Sequence, residues 1–300
     1  MFCSCKIDDQ GSPLPIDIYN AVTHDLPHVQ LHLDCSSHSP SGGPHQIFEE
    51  ISSSVTCQSL VSFTTPRWCI SNSDSLHCAA LVVASKNLRA LDVLDCKPFE
   101  TGDQKLPGIQ QLSIDLDSRL QENFFSRANV QMPKIWDFSH LTHLKIRHGY
   151  GGDLQRLGSF LSIVSDEQPS GLESFSVQSV LPWNMHRLLH YSRDAATEAK
   201  VEELLHKIIG TIDRLRELKL AWSFPQRLSL LLPKHENTLR SLGLLVGALG
   251  GPPVSSVEMR QIRTSCPYLT DLIIDIDLNR HLGEPEMEFE VRILSSIWSC

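Results

Sequence analysis

The sequence predicts an α/β fold in which short parallel strands alternate with helices and stack as a solenoid. One pattern, apolar-x-x-apolar-x-apolar, recurs along the 300 residues, as in Leu88/Leu91/Val93. Between these units the apolar residues recur every three or four positions, which is typical of one helix face. A doubly wound sheet gives the same alternation of strands and helices. Short strands that share one internal motif favour the solenoid.

The repeated motif predicts nine strand units that recur about every 30 residues. Positions one, four and six of each unit are expected to point into the stack, and positions three, five and seven to point outward. One unit cannot bury its apolar edge alone, so neighbouring units must stack. Thr65 is the one polar residue at position six. The units are Leu26/Val29/Leu31, Leu60/Phe63/Thr65, Leu88/Leu91/Val93, Ile109/Leu112/Ile114, Leu141/Leu144/Ile146, Leu172/Phe175/Val177, Leu215/Leu218/Leu220, Leu239/Leu242/Leu244 and Leu269/Leu272/Ile274.

Five segments outside these units have the apolar spacing of helices. The longest has apolar residues on one face and charged residues on the other. The segments are Ile47–Val55, Leu154–Val164, Val201–Ile212, Val257–Ile262 and Phe289–Ile297.

The bulk composition points to a folded intracellular protein, in the cytoplasm or nucleus. The hydrophobic fraction of 41% is enough to build a core, and the net charge of −9 disfavours nucleic acid and anionic membranes as partners. The nine cysteines are scattered and odd in number, and some, such as Cys78, lie in apolar runs. No Asn-x-Ser/Thr site occurs, and no apolar run approaches the roughly 20 residues of a membrane span.

Two units carry a resemblance to a known family. Leu88-Arg-Ala-Leu-Asp-Val-Leu-Asp-Cys96 and Cys266-Pro-Tyr-Leu-Thr-Asp-Leu-Ile-Ile274 resemble irregular leucine-rich repeats, similar to those that follow the F-box in many fungal F-box proteins. The resemblance covers roughly residues 26–276. It implies a leucine-rich-repeat solenoid with strands on the concave face and helices on the convex face. It also implies that the repeats recognise the substrate of an F-box type ubiquitin ligase.

The chain departs from that family at its start. Leu14-Pro-Ile-Asp-Ile18 is faintly similar to the beginning of an F-box, but repeat-like sequence resumes by Leu26 and leaves too few residues for a three-helix module. We expect one solenoid domain over residues 1–300, incomplete at both ends, with an exposed loop at 36–46. Both end layers are then expected to expose apolar surface, including Ile297 and Trp298.

No group of residues predicts catalysis, a metal site or a cofactor site. The histidine groups are interpreted as surface residues, although His28 and His32 share a strand face. The loop Gly149–Asp153 is interpreted as a strand-to-helix turn, and the pairs Asp115/Asp117 and Asp275/Asp277 as strand-end residues that bind backbone amides. Two alternatives stay open. One is an enzyme on an α/β scaffold that binds a nucleotide or metal near Gly149–Asp153, and the other is a truncated gene product without a function of its own.

The outward strand positions predict a protein-binding face. The middle strand is unusual in an acidic chain because His143, Lys145 and Arg147 all point outward and His148 follows. This patch suits an acidic or phosphorylated segment of another protein. The alternative is that Lys145 and Arg147 only neutralise carboxylates on neighbouring strands. The predicted binding residues are His143, Lys145, Arg147, His148, Asp115, Glu217, Lys219, Trp222, Asp271 and Asp275.

Overall fold

A computed structural model describes the chain in two compact units, residues 1–141 and residues 142–300, which are treated separately below. The described residues are 2–6, 30–35, 59–65, 78, 80–94, 107–116, 137–148, 154–179, 195–220, 231–244, 256–275 and 290–294.

Unit 1 contains parallel strands that pair in chain order. Residues 80–84 are helical and lie just before the fourth strand. The described strands of unit 1 are β1 (Phe2–Lys6), β2 (Gln30–Asp34), β3 (Leu60–Thr64), β4 (Ala90–Val93) and β5 (Gln111–Asp115).

In unit 2, strands and helices alternate, and the first five described strands are parallel neighbours in chain order. The strands are β6 (His143–His148), β7 (Ser174–Ser179), β8 (Glu217–Leu220), β9 (Ser241–Leu244), β10 (Asp271–Asp275) and β11 (Glu290–Leu294). The helices are α1 (Leu154–Glu167) before β7, α2 (Ala195–Thr211) before β8, a 3-10 helix (Leu232–His235) before β9, and α3 (Ser256–Ser265) before β10.

The prediction of an α/β fold with parallel strands is confirmed. In the seven units from Leu88 to Leu269, each strand begins two residues after position one of the motif. Positions one, four and six of all seven are buried, as is the apolar face of α1. The first unit lies two residues later than expected, because Leu31 and Leu33 are its buried strand residues. A shift of two keeps the same residues on the outward face.

A recurring hydrogen-bond pattern joins successive strands of unit 2. The carbonyl at position two of one unit accepts the N–H groups at positions two and three of the next. Thr142 O, for example, accepts from Glu173 N at 2.7 Å and from Ser174 N at 3.0 Å. The carbonyl groups of Glu173, Arg216 and Arg240 make the same pair of bonds. The same register therefore recurs between neighbouring strands of unit 2.

A second pattern turns the chain into several of the strands. In the units that begin at Leu88, Leu141, Leu172 and Leu269, the N–H at position one donates to the carbonyl three residues earlier, as in a β-turn. Leu269 N donates in this way to Cys266 O at 3.2 Å, and Leu88 N to Ser85 O at 3.0 Å. Cys266 is a buried free thiol, as are Cys35 and Cys78. Burial, together with the nearby Glu236 charge, raises the pKa of Cys266 to about 11 and keeps it protonated.

The helix expected at Phe289–Ile297 is wrong. Residues Glu290–Leu294 form β11, which pairs antiparallel with β10. Phe289, Val291 and Ile293 alternate with a period of two, so this segment also has a strand pattern, and β10 offers it unpaired backbone groups. The expected helix Ile47–Val55, the loop 36–46 and the end residues Ile297 and Trp298 lie outside the described residues. The helices that the structure describes include none with the length and apolar character needed to cross a membrane.

Candidate protein-binding face

The outward positions of β6 to β10 form the surface that we call the unit 2 face. Strand register aligns its residues in rows across the sheet, because position three of each strand pairs with position three of the next, and likewise for position five. The first row is His143, Ser174, Glu217, Ser241 and Asp271, the second is Lys145, Ser176, Lys219, Gly243 and Ile273, and Arg147 and Gln178 begin a third.

Glu217 is an acidic residue of the face that contacts side chains on two strands. Its Oε2 accepts a hydrogen bond from Ser174 Oγ at 2.8 Å, and its Oε1 lies 2.5 Å from Lys219 Nζ. Partial burial acts to raise the pKa of Glu217, but the hydrogen bonds from Lys219 and Ser174 and the positive charges of Lys219 and His143 outweigh it. The net result is a pKa below the ordinary value. Glu217 is therefore ionised at neutral pH and holds Lys219 in place.

Lys219 also depends on Gly243, its neighbour in the second row. A Cβ added to Gly243 would lie 2.9 Å from Lys219 Cγ and 3.4 Å from Lys219 Cβ. Real Cβ atoms do not approach other carbons that closely, so any larger residue would displace the lysine stem. Glycine at this position lets the aliphatic part of Lys219 lie across β9.

Lys145 and Ser176 complete the second row. Lys145 is half-buried, and its ammonium group makes no ion pair or hydrogen bond with the described part of unit 2. Ser176 lies between Lys145 and Lys219 in the register and is only 5% exposed. Its Oγ is buried and has no hydrogen-bond partner in the part of the chain that the structure describes.

His148 does not belong to the face, which corrects the predicted set. It occupies position eight of the β6 unit, on the inward side, and is 6% exposed. Burial lowers its pKa to about 4, so the ring is neutral at pH 7. The positive charge of the face therefore comes from Lys145, Arg147 and Lys219.

The other predicted residues fall into three groups. His143 and Asp271 are exposed, and each has a local hydrogen bond, at 2.9 Å from His143 Nδ1 to Thr142 Oγ1 and at 2.8 Å from Thr270 Oγ1 to Asp271 Oδ2. Asp115 is an outward, half-buried residue of β5 in unit 1. Trp222 and the side chain of Asp275 lie outside the described residues.

The structure bears on the alternative that Lys145 and Arg147 only neutralise carboxylates on neighbouring strands. The carboxylate of Glu217 is engaged by Lys219 of its own strand and by Ser174, not by Lys145. The sequence pattern suggested cross-strand pairing. It missed the pairing along β8, because residues two apart on one strand share a face and long side chains can meet there.

The charged outward residues of β2 to β5 in unit 1 are acidic. Asp34, Asp92 and Asp115 are its charged residues at the described positions of β2 to β5, and all three are half-buried. His32 Nδ1 lies 2.6 Å from Ser62 Oγ on the neighbouring strand. No lysine or arginine occupies an outward position of these four strands.

The described residues contain no group of His, Cys, Asp or Glu side chains that could hold a metal ion. The loop Gly149–Asp153 and the residues His28, Asp117 and Asp277 lie outside that part of the chain. No family model, curated protein or solved structure matches this sequence. The function of the unit 2 face must therefore be inferred from its own geometry and chemistry.

Proposed function

We propose that this protein is a leucine-rich-repeat solenoid that acts as a non-enzymatic protein-binding module. We further propose that the unit 2 face binds an acidic or phosphorylated segment of another protein. The repeated strand motif, its two recurring hydrogen-bond patterns and the parallel pairing in chain order support the first part. The charge of the unit 2 face supports the second.

The observation that carries the binding proposal is the set of three cationic side chains at outward positions of two strands. Lys145 and Arg147 lie on β6 and Lys219 on β8, within a chain whose net charge is −9. Half-buried lysine and arginine side chains are partly desolvated, so an incoming anion gains more from them than from fully solvated charges. The arginine can also bind a carboxylate or phosphate in bidentate fashion.

The rows of outward residues on the face fit an extended peptide segment. Outward residues of parallel strands present side chains in rows, about 5 Å apart from strand to strand. An extended segment that crosses several strands can therefore place one acidic group near β6 and another near β8. Polar residues at the remaining positions, such as Ser174 and Gln178, offer hydrogen bonds to its backbone.

The test is a double charge reversal on the full chain. Lys145→Glu with Arg147→Glu should abolish the binding of peptides rich in glutamate, measured by fluorescence anisotropy against a degenerate library and its glutamine counterpart. Lys207→Glu with Arg214→Glu is the matched control, since it makes the same change in net charge at exposed positions of α2 and the following turn. Circular dichroism should show that both variants are folded.

Retention of glutamate-peptide binding by the folded Lys145/Arg147 variant, or equal loss in the control, would contradict the proposed face. Partners captured from lysate by the wild type are expected to be lost from the same variant.

The most specific form of the proposal makes this chain the substrate-recognition part of an F-box type ubiquitin-ligase receptor. A partner that binds the face should then accumulate when the protein is depleted from cells. An unchanged level of that partner would limit the role to binding.

A further inference from the structure

We infer that the contact between His235 and the C-terminal end of α2 is an acid-sensitive joint between two successive units. At neutral pH the joint holds the 3-10 helix and the start of β9 against α2, and protonation of the His235 ring releases them. The joint lies outside the unit 2 face and does not depend on the proposed binding function.

The last carbonyl groups of α2 are bound by side chains of the next unit. The final carbonyls of a helix have no partner within the helix, so other groups must bind them. His235 Nε2 lies 3.1 Å from Ile209 O, and Lys234 Nζ donates to Gly210 O. Both side chains belong to the 3-10 helix, which therefore caps the C-terminal end of α2.

The bond to Ile209 determines which nitrogen of the His235 ring carries the proton. A carbonyl oxygen only accepts, so Nε2 is the donor and Nδ1 of the neutral ring has no hydrogen. His235 is 1% exposed, and its Nδ1 is buried without a hydrogen-bond partner in the part of the chain that the structure describes. A second proton would make Nδ1 a buried donor without an acceptor. Protonation therefore favours a state in which the ring reaches water.

The charges around the joint leave the neutral ring favoured. Burial lowers the pKa of His235 and the positive charge of Lys234 lowers it further, while the bond to Ile209 and the negative charge of Asp213 oppose this, and the net result is a lowered pKa. Lys234 and Asp213 also pair with each other at 3.2 Å. The other charged or titratable groups next to the 3-10 helix in the chain, or on helices packed against it, are Glu236, His206 and Lys207 of α2, and Glu258, Arg260 and Arg263 of α3.

Two hydrogen bonds connect His235 to the start of β9. His235 O accepts from Thr238 N at 3.0 Å and from Leu239 N at 2.9 Å. Leu239 is position one of the β9 unit, and Arg240 N then donates to Arg216 O of the preceding unit at 2.8 Å. Release of His235 should therefore loosen the backbone that leads into β9.

Release of β9 should also change the unit 2 face. The Lys219 stem lies against Gly243 of β9, since a Cβ added there would be 2.9 Å from Lys219 Cγ. Loosening of β9 in acid should free Lys219 and weaken the binding of anions. This consequence rests on the proposed function, whereas the joint itself does not.

His148 provides a comparison within unit 2. It is also buried, and burial lowers its pKa to about 4, but it lies within β6 and not between two units. Its protonation should act on β6 and β7. The two histidines therefore predict acid-sensitive amides in different strands.

The experiment measures hydrogen exchange of the full-length protein between about pH 7.5 and 5.5, corrected for the intrinsic pH dependence of exchange. The amides of Leu239 and Arg240 report on the joint, and the Gln111 amide of unit 1, which donates to Arg89 O, is the reference. Protection at Leu239 and Arg240 should fall by about three- to tenfold over this range, because a released histidine takes up protons below pH 6.5. Protection at Gln111 should stay constant.

Two substitutions identify the titrating group. His235→Gln keeps an N–H for Ile209 O but cannot take up a proton, so it should remove the fall in protection. His235→Met also lacks a proton site and replaces the glutamine variant if that protein does not fold. His148→Leu is the matched control and should leave the fall at β9 unchanged.

An equal fall in the His235 variants, or its loss in His148→Leu, would overturn the joint. A fall of the same size at Gln111 would show that acid unfolds the protein as a whole, and would overturn a local release.

The affinity for glutamate-rich peptides, measured at the same pH values, tests the effect on the face. It should fall in acid for the wild type and fall less for His235→Gln. An equal fall in both would overturn the effect on binding and leave the joint standing. Absence of peptide binding at every pH would contradict the proposed function, while the exchange result alone decides the joint.

Discussion

The sheets of the two units share one backbone motif and differ in the charged residues of their outward faces. In unit 1 the charged outward residues of β2 to β5 are the acidic Asp34, Asp92 and Asp115, whereas β6 and β8 of unit 2 present Lys145, Arg147 and Lys219 beside Glu217. Positions one, four and six are buried in the described motif units of both. The inward positions therefore determine the fold, and the outward positions are free to differ in chemistry.

This difference locates function more sharply than the overall composition does. A net charge of −9 describes the chain as acidic, yet three of its 26 lysine and arginine residues lie at outward positions of β6 and β8 in unit 2. Local charge on a partly buried surface determines which ligand binds, while net charge mainly affects solubility and long-range association.

The largest predicted effect is a loss of stability when the buried leucine at position four is truncated, which tests the motif that the two units share. Leu91→Ala in unit 1 and Leu218→Ala in unit 2 both truncate position four, where each leucine is at most 1% exposed. Each should lower the free energy of unfolding by about 2–5 kcal/mol, because a cavity remains in a packed core. Urea denaturation measures this, with the outward variant Ser241→Ala as a control expected to change stability by about 0.5 kcal/mol or less. A cost well under 1 kcal/mol at either leucine would mean that the motif does not build the core of that unit.

The next prediction concerns position eight, where β5 has Leu116 and β6 has His148, both buried. The pKa of His148 in the folded protein is about 4, below its ordinary value of 6.5. A base with a lowered folded pKa contributes stability that is present above pH 6.5 and is lost as the pH falls from there to about 4. The full loss is about 3 kcal/mol. Hydrogen exchange of the β6 and β7 amides across this pH range measures it.

His148→Leu makes β6 resemble β5 at this position and should remove that part of the pH dependence. An unchanged acid profile in the variant would show that another group titrates.

The third prediction compares substitutions at position six, where one unit has a buried threonine and the other a buried valine. Thr65 is fully buried in unit 1, where its Oγ1 accepts from Leu94 N at 2.8 Å and donates to Leu94 O at 3.4 Å. Thr65→Val should cost about 1–3 kcal/mol, because it leaves the Leu94 N–H without an acceptor. Val177→Thr, at position six of β7, should cost a similar amount, because it buries a hydroxyl with no such partner. Thermal unfolding checks both, and a stabilised Thr65→Val protein would rule out the hydrogen-bonding role.

The smallest predicted effect is that of the Glu217–Lys219 pair on stability. The two side chains are 35% and 30% exposed, so solvent screens their attraction. Lys219→Gln should change the free energy of unfolding by less than about 1 kcal/mol. The same substitution should weaken the binding of anionic peptides strongly. A loss of stability greater than the loss of binding energy would make Lys219 a structural residue and not a binding one.

The sequence predicts most of the strands because their inward residues are apolar and evenly spaced. Seven strands lie where the motif places them, since burying positions one, four and six is possible in one register only. Thr65 is polar at a position that is otherwise apolar. It is buried all the same, because the backbone of Leu94 on the next unit supplies its hydrogen-bond partners. These hydrogen bonds join Thr65 to a residue 29 positions away in the chain. A local sequence pattern therefore cannot predict them.

The candidate face is less predictable than the strands. Its outward residues follow from the alternation of the motif, but the pairing of Glu217 with Lys219 depends on side-chain reach, and the burial of Ser176 depends on its neighbours in space. The sequence predicts His148 at the surface because it directly follows the outward Arg147 and belongs to a group of histidines. Its position eight, two residues after buried Ile146, is the pattern that indicates an inward side chain.

The central claim, that the unit 2 face binds anionic protein segments, is tested most directly by lysine footprinting of the full-length protein. Amines are acetylated briefly with and without a pool of acidic and phosphorylated peptides, and each lysine is quantified by mass spectrometry. The account predicts protection of Lys145 and Lys219, with no change at Lys207 and Lys234, whose ion pairs with Asp166 and Asp213 lie away from the face. Protection of Lys207 or Lys234 with Lys145 left reactive would place the binding site elsewhere and contradict the account.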